Sequence, residues 1–167
     1  MDHHGIWAAD NGLTATGGSA IALGLQGNRH LQHLFLEGNY INAAGAVALA
    51  GLFKLGPPLR TIVLSGNPVG GLGAQAFADG MRLSRSLRRL NLSGEWDSRA
   101  FAASLWVTDA ADARLPRRLG CCLDAAGCAA VAMALAHTAM TELDLRDNTW
   151  VAENPGHSIL SDPRIRI

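Results

Sequence analysis

The sequence is short of most residues that advertise a chemistry. It has three cysteines, of which Cys121 and Cys122 are adjacent. An odd count with that spacing cannot form a disulfide framework, so a reducing compartment is expected. Lysine occurs once, at Lys54, and the fourteen Lys+Arg balance fourteen Asp+Glu. A net charge of zero gives no global attraction to nucleic acid or to an anionic membrane, and neither partner is expected. Aromatic residues make up 5% of the chain and charged residues 17%, against 49% apolar. The chain can therefore bury a core and is not a polar disordered segment. Long apolar runs are missing too: Gly and Asn interrupt both charge-free windows, Asn11 to Asn28 and Thr61 to Ala78, so no membrane span is expected. Met1 to Trp7 has no cationic start and no apolar stretch, which predicts no secretory signal and a cytoplasmic, intracellular protein.

What the sequence does have is a period. Asn11, Asn39 and Asn67 fall 28 residues apart, as do Gly17, Gly45 and Gly73, and Leu34, Ile62 and Leu90. The copies read LQHLFLEGNYINAAGAVALAGLF from Leu31 and LRTIVLSGNPVGGLGAQAFADGM from Leu59. A further copy opens with LRRLNLSG at Leu87, a last one with MTELDLRDN at Met140, and an eroded first one at His3, with Ile6, Ala8 and Asn11 in place. Each unit reads as a strand, a turn and a helix. Alternation of Leu31, Leu34 and Leu36 predicts a short strand with one buried side. The Asn can hydrogen-bond backbone groups of its own turn and of its neighbours, which predicts a ladder along the array. Ile41, Val69 or Leu123 then plugs the core, and the Ala- and Gly-rich run from Ala43 to Ala50 predicts a helix lying close on the strands. No unit can bury both of its faces alone, so neighbours must stack.

The pattern L-x-x-L-x-L-x-x-N-x-[IVL]-x3-G-A-x-A-[LF] resembles the leucine-rich repeat. Its 28-residue length and G-A-x-A helix resemble the ribonuclease-inhibitor-like subclass, also found in NOD-like receptors and Ran GTPase-activating proteins. The resemblance implies an α/β fold: a right-handed leucine-rich-repeat solenoid forming a short horseshoe arc, with parallel strands on the concave side and helices on the convex side. One domain, 1–167, would comprise repeats 3–30, 31–58, 59–86, 87–139 and 140–167. It also implies a non-enzymatic module that binds a protein partner of unknown identity. A GTPase-activating or other enzyme-regulatory domain, or a fragment of a NOD-like sensor, is the alternative. Clear capping units are missing, so core exposed at the ends favours self-association or a larger parent.

Two copies break the pattern. Glu95 follows Gly94 where an Asn is due, and the motif resumes at Cys121, which makes 95–120 an insertion. Ser98 could cap a helix over Arg99 to Arg114 that Pro116 would end. The insertion is a tolerated loop, translated non-coding sequence, or a binding surface built from Trp96, Trp106 and the Arg114, Arg117 and Arg118 cluster. In the last copy Trp150 takes the plug position, and Pro155 and Pro163 argue against a regular helix, leaving a degenerate cap or a frayed end.

No nucleophile-and-base arrangement, G-x-S-x-G or phosphate loop is present, so no catalytic residue and no cofactor is expected. Cys121, Cys122, Cys128 and His137 match no zinc spacing, and no metal site is expected. Arg82, Arg85, Arg88 and Arg89 form the densest basic run. A solvated helix end accounts for it better than a phosphate site, and no interleaved aromatics support nucleic-acid stacking. The binding candidates are the outward strand positions. Trp7, Phe35, Val63, Asn91 and Asp144 form one row, apolar at first and then polar. Beside it run His33, Thr61, Arg89 and Glu142, and beyond it Glu37, Ser65, Ser93 and Arg146. An apolar stripe with a charged margin has the character of a protein-binding hot spot.

Overall fold

The computed structural model describes residues 4–94, 121 and 123–167. The expectations for insertion 95–120, with its capped helix, tryptophans and arginine cluster, lie outside the described residues, as do those for Cys122 and Met1 to His3.

The strands are β1 (Gly5–Trp7), β2 (His33–Phe35), β3 (Thr61–Val63), β4 (Arg89–Asn91), β5 (Glu142–Asp144) and β6 (Ile165–Arg166). The helices are α1 (Ala15–Gly24), α2 (Ala43–Ala50), α3 (Leu52–Leu55), α4 (Gly70–Leu83), α5 (Ala125–Ala134) and α6 (Thr149–Glu153), with short 3-10 turns at Leu135–His137 and Ser158–Leu160. All six strands pair in parallel and in chain order. The register follows the 28-residue period: Ile6 pairs with Leu34, Leu34 with Ile62, and Ile62 with Leu90. Leu90 then pairs with Leu143 across the insertion. A parallel sheet needs a crossover between consecutive strands, and here the turn and helix of each unit supply it.

The core lies between the sheet and the helix layer. Leu34, Ile62, Leu90 and Leu143 have no exposed surface, and neither do the plugs Ile41 and Val69 or the helix residues Ala46, Ala74 and Phe77. At the β1 end the same positions are less covered: Ile6, Leu13 and Ile21 are half-buried against that core.

Asparagine side chains tie the turns together. Asn67 is fully buried, and its Nδ2 donates to the Leu64 carbonyl of its own unit at 3.0 Å and to the Leu36 carbonyl of the preceding unit at 2.8 Å. Its Oδ1 accepts the Ile41 N–H at 3.0 Å. Asn39 repeats the arrangement with the Leu36 and Ala8 carbonyls and the Asn11 and Leu13 N–H groups. Asn148 does so with the Leu145 and Leu92 carbonyls and the Leu123 N–H. Cys121 takes the same place in its unit, its thiol donating to the Leu64 carbonyl at 3.3 Å. A thiol has no amide oxygen to offer. The preceding turn is accordingly different: Val69 N–H donates to Asn67 O and Gly70 N–H to Cys121 O. Gly70 adopts φ +66°, a backbone that glycine takes without strain. It stands where Asn42 and Asp124 cap α2 and α5 through their side chains.

The small residues set how closely the helices approach. A methyl group added at Gly45 would lie 2.8 Å from Ile41 Cγ2 and 3.2 Å from Ala15 Cα, and one at Gly127 would lie 2.9 Å from Gly71 Cα. Contacts under 3 Å would force a neighbour to shift, which accounts for glycine at these repeat positions.

The end of the chain differs from the sequence expectation. A short regular helix does form, at Thr149–Glu153, because it ends before Pro155. Val151 is buried and Trp150 only half-buried, so the plug shifts by one residue. The chain then turns back early, and Ile165 pairs with Leu143 after 22 residues to add a sixth strand. Arg164 anchors it: its guanidinium clamps Asp162 and donates through Nη1 to the Leu135 carbonyl at 3.2 Å.

Asn67→Ala should cost about 2 kcal/mol, because it strands the buried Ile41 N–H and takes one of two donors from each of the Leu36 and Leu64 carbonyls, which keep Asn39 Nδ2 and the Cys121 thiol. The urea midpoint should fall at unchanged slope. Gly127→Ala should lower the melting temperature even though alanine is the better helix former.

Candidate protein-binding surface

Alternate residues of a strand point to opposite sides of its sheet. With Leu34 and Leu90 committed to the helix side, the register carries Trp7, Phe35, Val63, Asn91, Asp144 and Arg166 in one row across the opposite face. His33, Thr61, Arg89 and Glu142 form the row beside it.

The β1 end of this face is aromatic. Trp7 is 64% exposed, and its indole stacks on the Phe35 ring at a centroid distance of 5.7 Å and an interplanar angle of 10°. His33 also stacks with Phe35, at a centroid distance of 6.3 Å. The indole lies back over Gly5, where a methyl group would fall 2.5 Å from the ring. Glycine at position 5 therefore makes room for the tryptophan. Val63 continues the stripe and is half-buried.

The β5–β6 end is charged. Glu142 sits between two guanidiniums, accepting from Arg89 Nε at 2.9 Å and from Arg166 Nε at 3.1 Å. Asp144 is gripped by Arg146 through Nε at 3.0 Å and Nη2 at 2.7 Å. Burial pushes the Asp144 carboxyl up, but the Arg146 side chain and backbone N–H, helped by Arg166, hold it below the ordinary carboxylate range. The three arginine side chains are each more than half exposed, while those of Glu142 and Asp144 are 18% and 4% exposed. Toward solvent this end presents cations over submerged acids.

Not every outward position is surface. Thr61 and Asp144 are buried. The short Thr61 side chain stands in register between His33 and Arg89, and Asp144 lies beneath Arg146. Asn91 is half-buried, its Oδ1 turned onto the Ser93 N–H at 2.8 Å. Glu37 is half-buried at the rim, where Oε2 is shielded and has no hydrogen-bond partner among the described residues. Arg166 escaped the sequence reading because its strand has no repeat motif. Its only signal is the apolar Ile165 beside it.

Elsewhere the chemistry is quiet. Among the described residues no three His, Cys, Asp or Glu side chains converge as a metal site would require, and no helix is long and apolar enough to cross a membrane. The Cys121 and Cys128 side chains are both buried. Burial, and after it the Asp124 carboxylate, pushes the Cys128 thiol up to about 12, so it stays protonated and unreactive.

Comparison with known proteins agrees with the architecture. Residues 27–50 and 57–78 each match the family model described as Leucine Rich repeat, which supports a leucine-rich repeat protein. No curated protein matches the chain.

The raised thiol sets a pH dependence. An unfolded cysteine ionises near its ordinary value of about 8.5, whereas folded Cys128 keeps its proton until about 12. Its contribution to stability is therefore complete below about pH 8.5 and is lost as the pH rises toward 12. Cys128→Ala should flatten the alkaline limb of the stability profile. Peptide mapping after alkylation at pH 8 should find Cys128 unmodified in the folded protein and modified in urea.

Proposed function

We propose that this leucine-rich repeat chain is a non-enzymatic module that binds a protein partner through the strand face opposite its helices. Leucine-rich repeats generally mediate protein–protein interaction. The further reading is that the array follows the ribonuclease-inhibitor-like subclass, with right-handed curvature that makes the strand face concave. The glycine at the helix start and the 28-residue spacing support this.

The observation that carries the proposal is Trp7. A tryptophan 64% exposed, stacked on Phe35 and seated over a glycine, contributes little to the core. Held in one orientation, it can be covered by a partner with little loss of side-chain freedom. Beside it His33 offers a ring nitrogen, and Val63 extends the apolar area. Arg89, Arg146 and Arg166 at the far end would set orientation and on-rate more than affinity. Glu37 Oε2, shielded and unpaired, is a place where a donor would be welcome after a small side-chain movement.

The test uses a double variant, Trp7→Ser with Phe35→Ser, whose fold is checked by its melting curve. Proteins captured and cross-linked by the parent chain should be lost, or bound at least about 30-fold more weakly, as expected when a hot spot of about 2 kcal/mol is removed. An unchanged set of cross-linked partners at unchanged affinity would remove this face from the account.

A further inference from the structure

The loops leading into β2, β3 and β4 hold a second surface. Positions 29, 57 and 85 are equivalent in the repeat and read Arg, Pro, Arg, while positions 60 and 88 are both Arg. The proline in the middle unit leaves a notch between the arginines of its neighbours, two strand spacings or about 10 Å apart. That notch is a cleft of about 420 Å³, with Arg29 and Arg85 beside Phe53, Pro57 and Leu83. A second cleft of about 430 Å³ adjoins it through Pro58 and Ser86, and Arg60 and Arg88 line it. Among the described residues no carboxylate lines either cleft.

The pairing of the arginines separates these four from the rest. Arg82, Arg89, Arg146, Arg164 and Arg166 each form an ion pair. Arg29, Arg60, Arg85 and Arg88 have no carboxylate partner among the described residues, and all four are exposed. Arg88 spends one nitrogen on the Arg85 and Leu87 carbonyls, which stiffens its side chain and leaves its charge uncompensated. In a chain of zero net charge, the four unpaired arginines converge on two touching clefts. The sequence shows only Arg85 and Arg88 in one run; stacking of the units brings Arg29 and Arg60 to them.

We infer that these adjoining clefts bind an acidic protein segment carrying an apolar side chain. The apolar group would lie against Phe53, Pro57 and Leu83, and carboxylates on either side would meet the guanidinium forks, which match their geometry. The lining favours a peptide over a nucleic acid. It offers proline and leucine surface and no exposed aromatic platform for a base, since Phe53 is half-buried and turned edge-on to Phe77. The site lies at the helix-end margin and does not rest on the reading of the strand face.

The test is fluorescence anisotropy on the full chain with three labelled probes: Glu-Glu-Leu-Glu-Glu, Gln-Gln-Leu-Gln-Gln and a short oligothymidylate. The acidic peptide should bind saturably, weaken as salt is raised, and lose at least about tenfold in Arg29→Glu/Arg85→Glu or Arg60→Glu/Arg88→Glu. Arg166→Glu, on the other face, and Trp7→Ser should change it less than twofold. The inference is overturned by no saturable binding of the acidic peptide, by equal binding of the neutral one, by tighter binding of the oligonucleotide, or by indifference to both charge reversals. Should a reversal impair folding, Arg29→Gln/Arg85→Gln reads the same effect on a milder background.

Discussion

One asparagine amide per unit holds the turns of this array together. The turn after each strand contains carbonyls and N–H groups that the parallel ladder no longer satisfies and that water cannot reach. Left alone they would cost more than the strand pairing returns. A buried amide supplies two donors and an acceptor on a short, rigid side chain. Asn39, Asn67 and Asn148 use them to join the carbonyl ends of two consecutive strands and N–H groups in the turn of the preceding unit. The unit spacing, the in-step strand register and the closeness of the helices follow from that bridge. Gly45 and Gly127 leave room for the helices at the distance the bridge sets.

Cys121 shows what happens when one rung is changed. The thiol keeps a donor toward Leu64 and takes up little space, so the sheet continues unbroken through β4 and β5. Its sulfur is only a weak acceptor for the N–H of the preceding turn, where Val69 N–H donates to the Asn67 carbonyl and Gly70 N–H to the Cys121 carbonyl. Burial then makes the neighbouring thiol, Cys128, a small apolar filler and not a reactive group.

Much of this was legible in the sequence because the period is redundant. Asn, Gly and Leu each mark it independently, so strand register, helix positions and the buried plugs Ile41 and Val69 could be written down without coordinates. The ends were not legible. At β6 only Ile165 and the Asp162–Arg164 clamp announce a strand, and a pattern built on 28 residues does not anticipate one that returns after 22. Outwardness was also an incomplete guide to the surface. Alternation assigns Thr61 and Asp144 to the open face, yet both are buried, Asp144 beneath the Arg146 side chain. The arginine clefts needed the stacking itself, since nothing local connects Arg29 to Arg85. The ladder constrains only inward positions, and the outward ones are free to carry a stacked aromatic pair at one end, submerged acids under arginines at the other, and unpaired cations along the margin.

The central claim is that side-chain amides, not chance burial, hold the turns, and amide hydrogen exchange tests it most directly. The Ile41 N–H lies in a turn outside any helix or strand and, among the described residues, is bonded only to Asn67 Oδ1. The account predicts that it exchanges as slowly as the amide of Leu64, which follows β3 and donates to the Asn91 carbonyl. Exchange of Ile41 at the rate of exposed loop amides, with Leu64 protected, would contradict it.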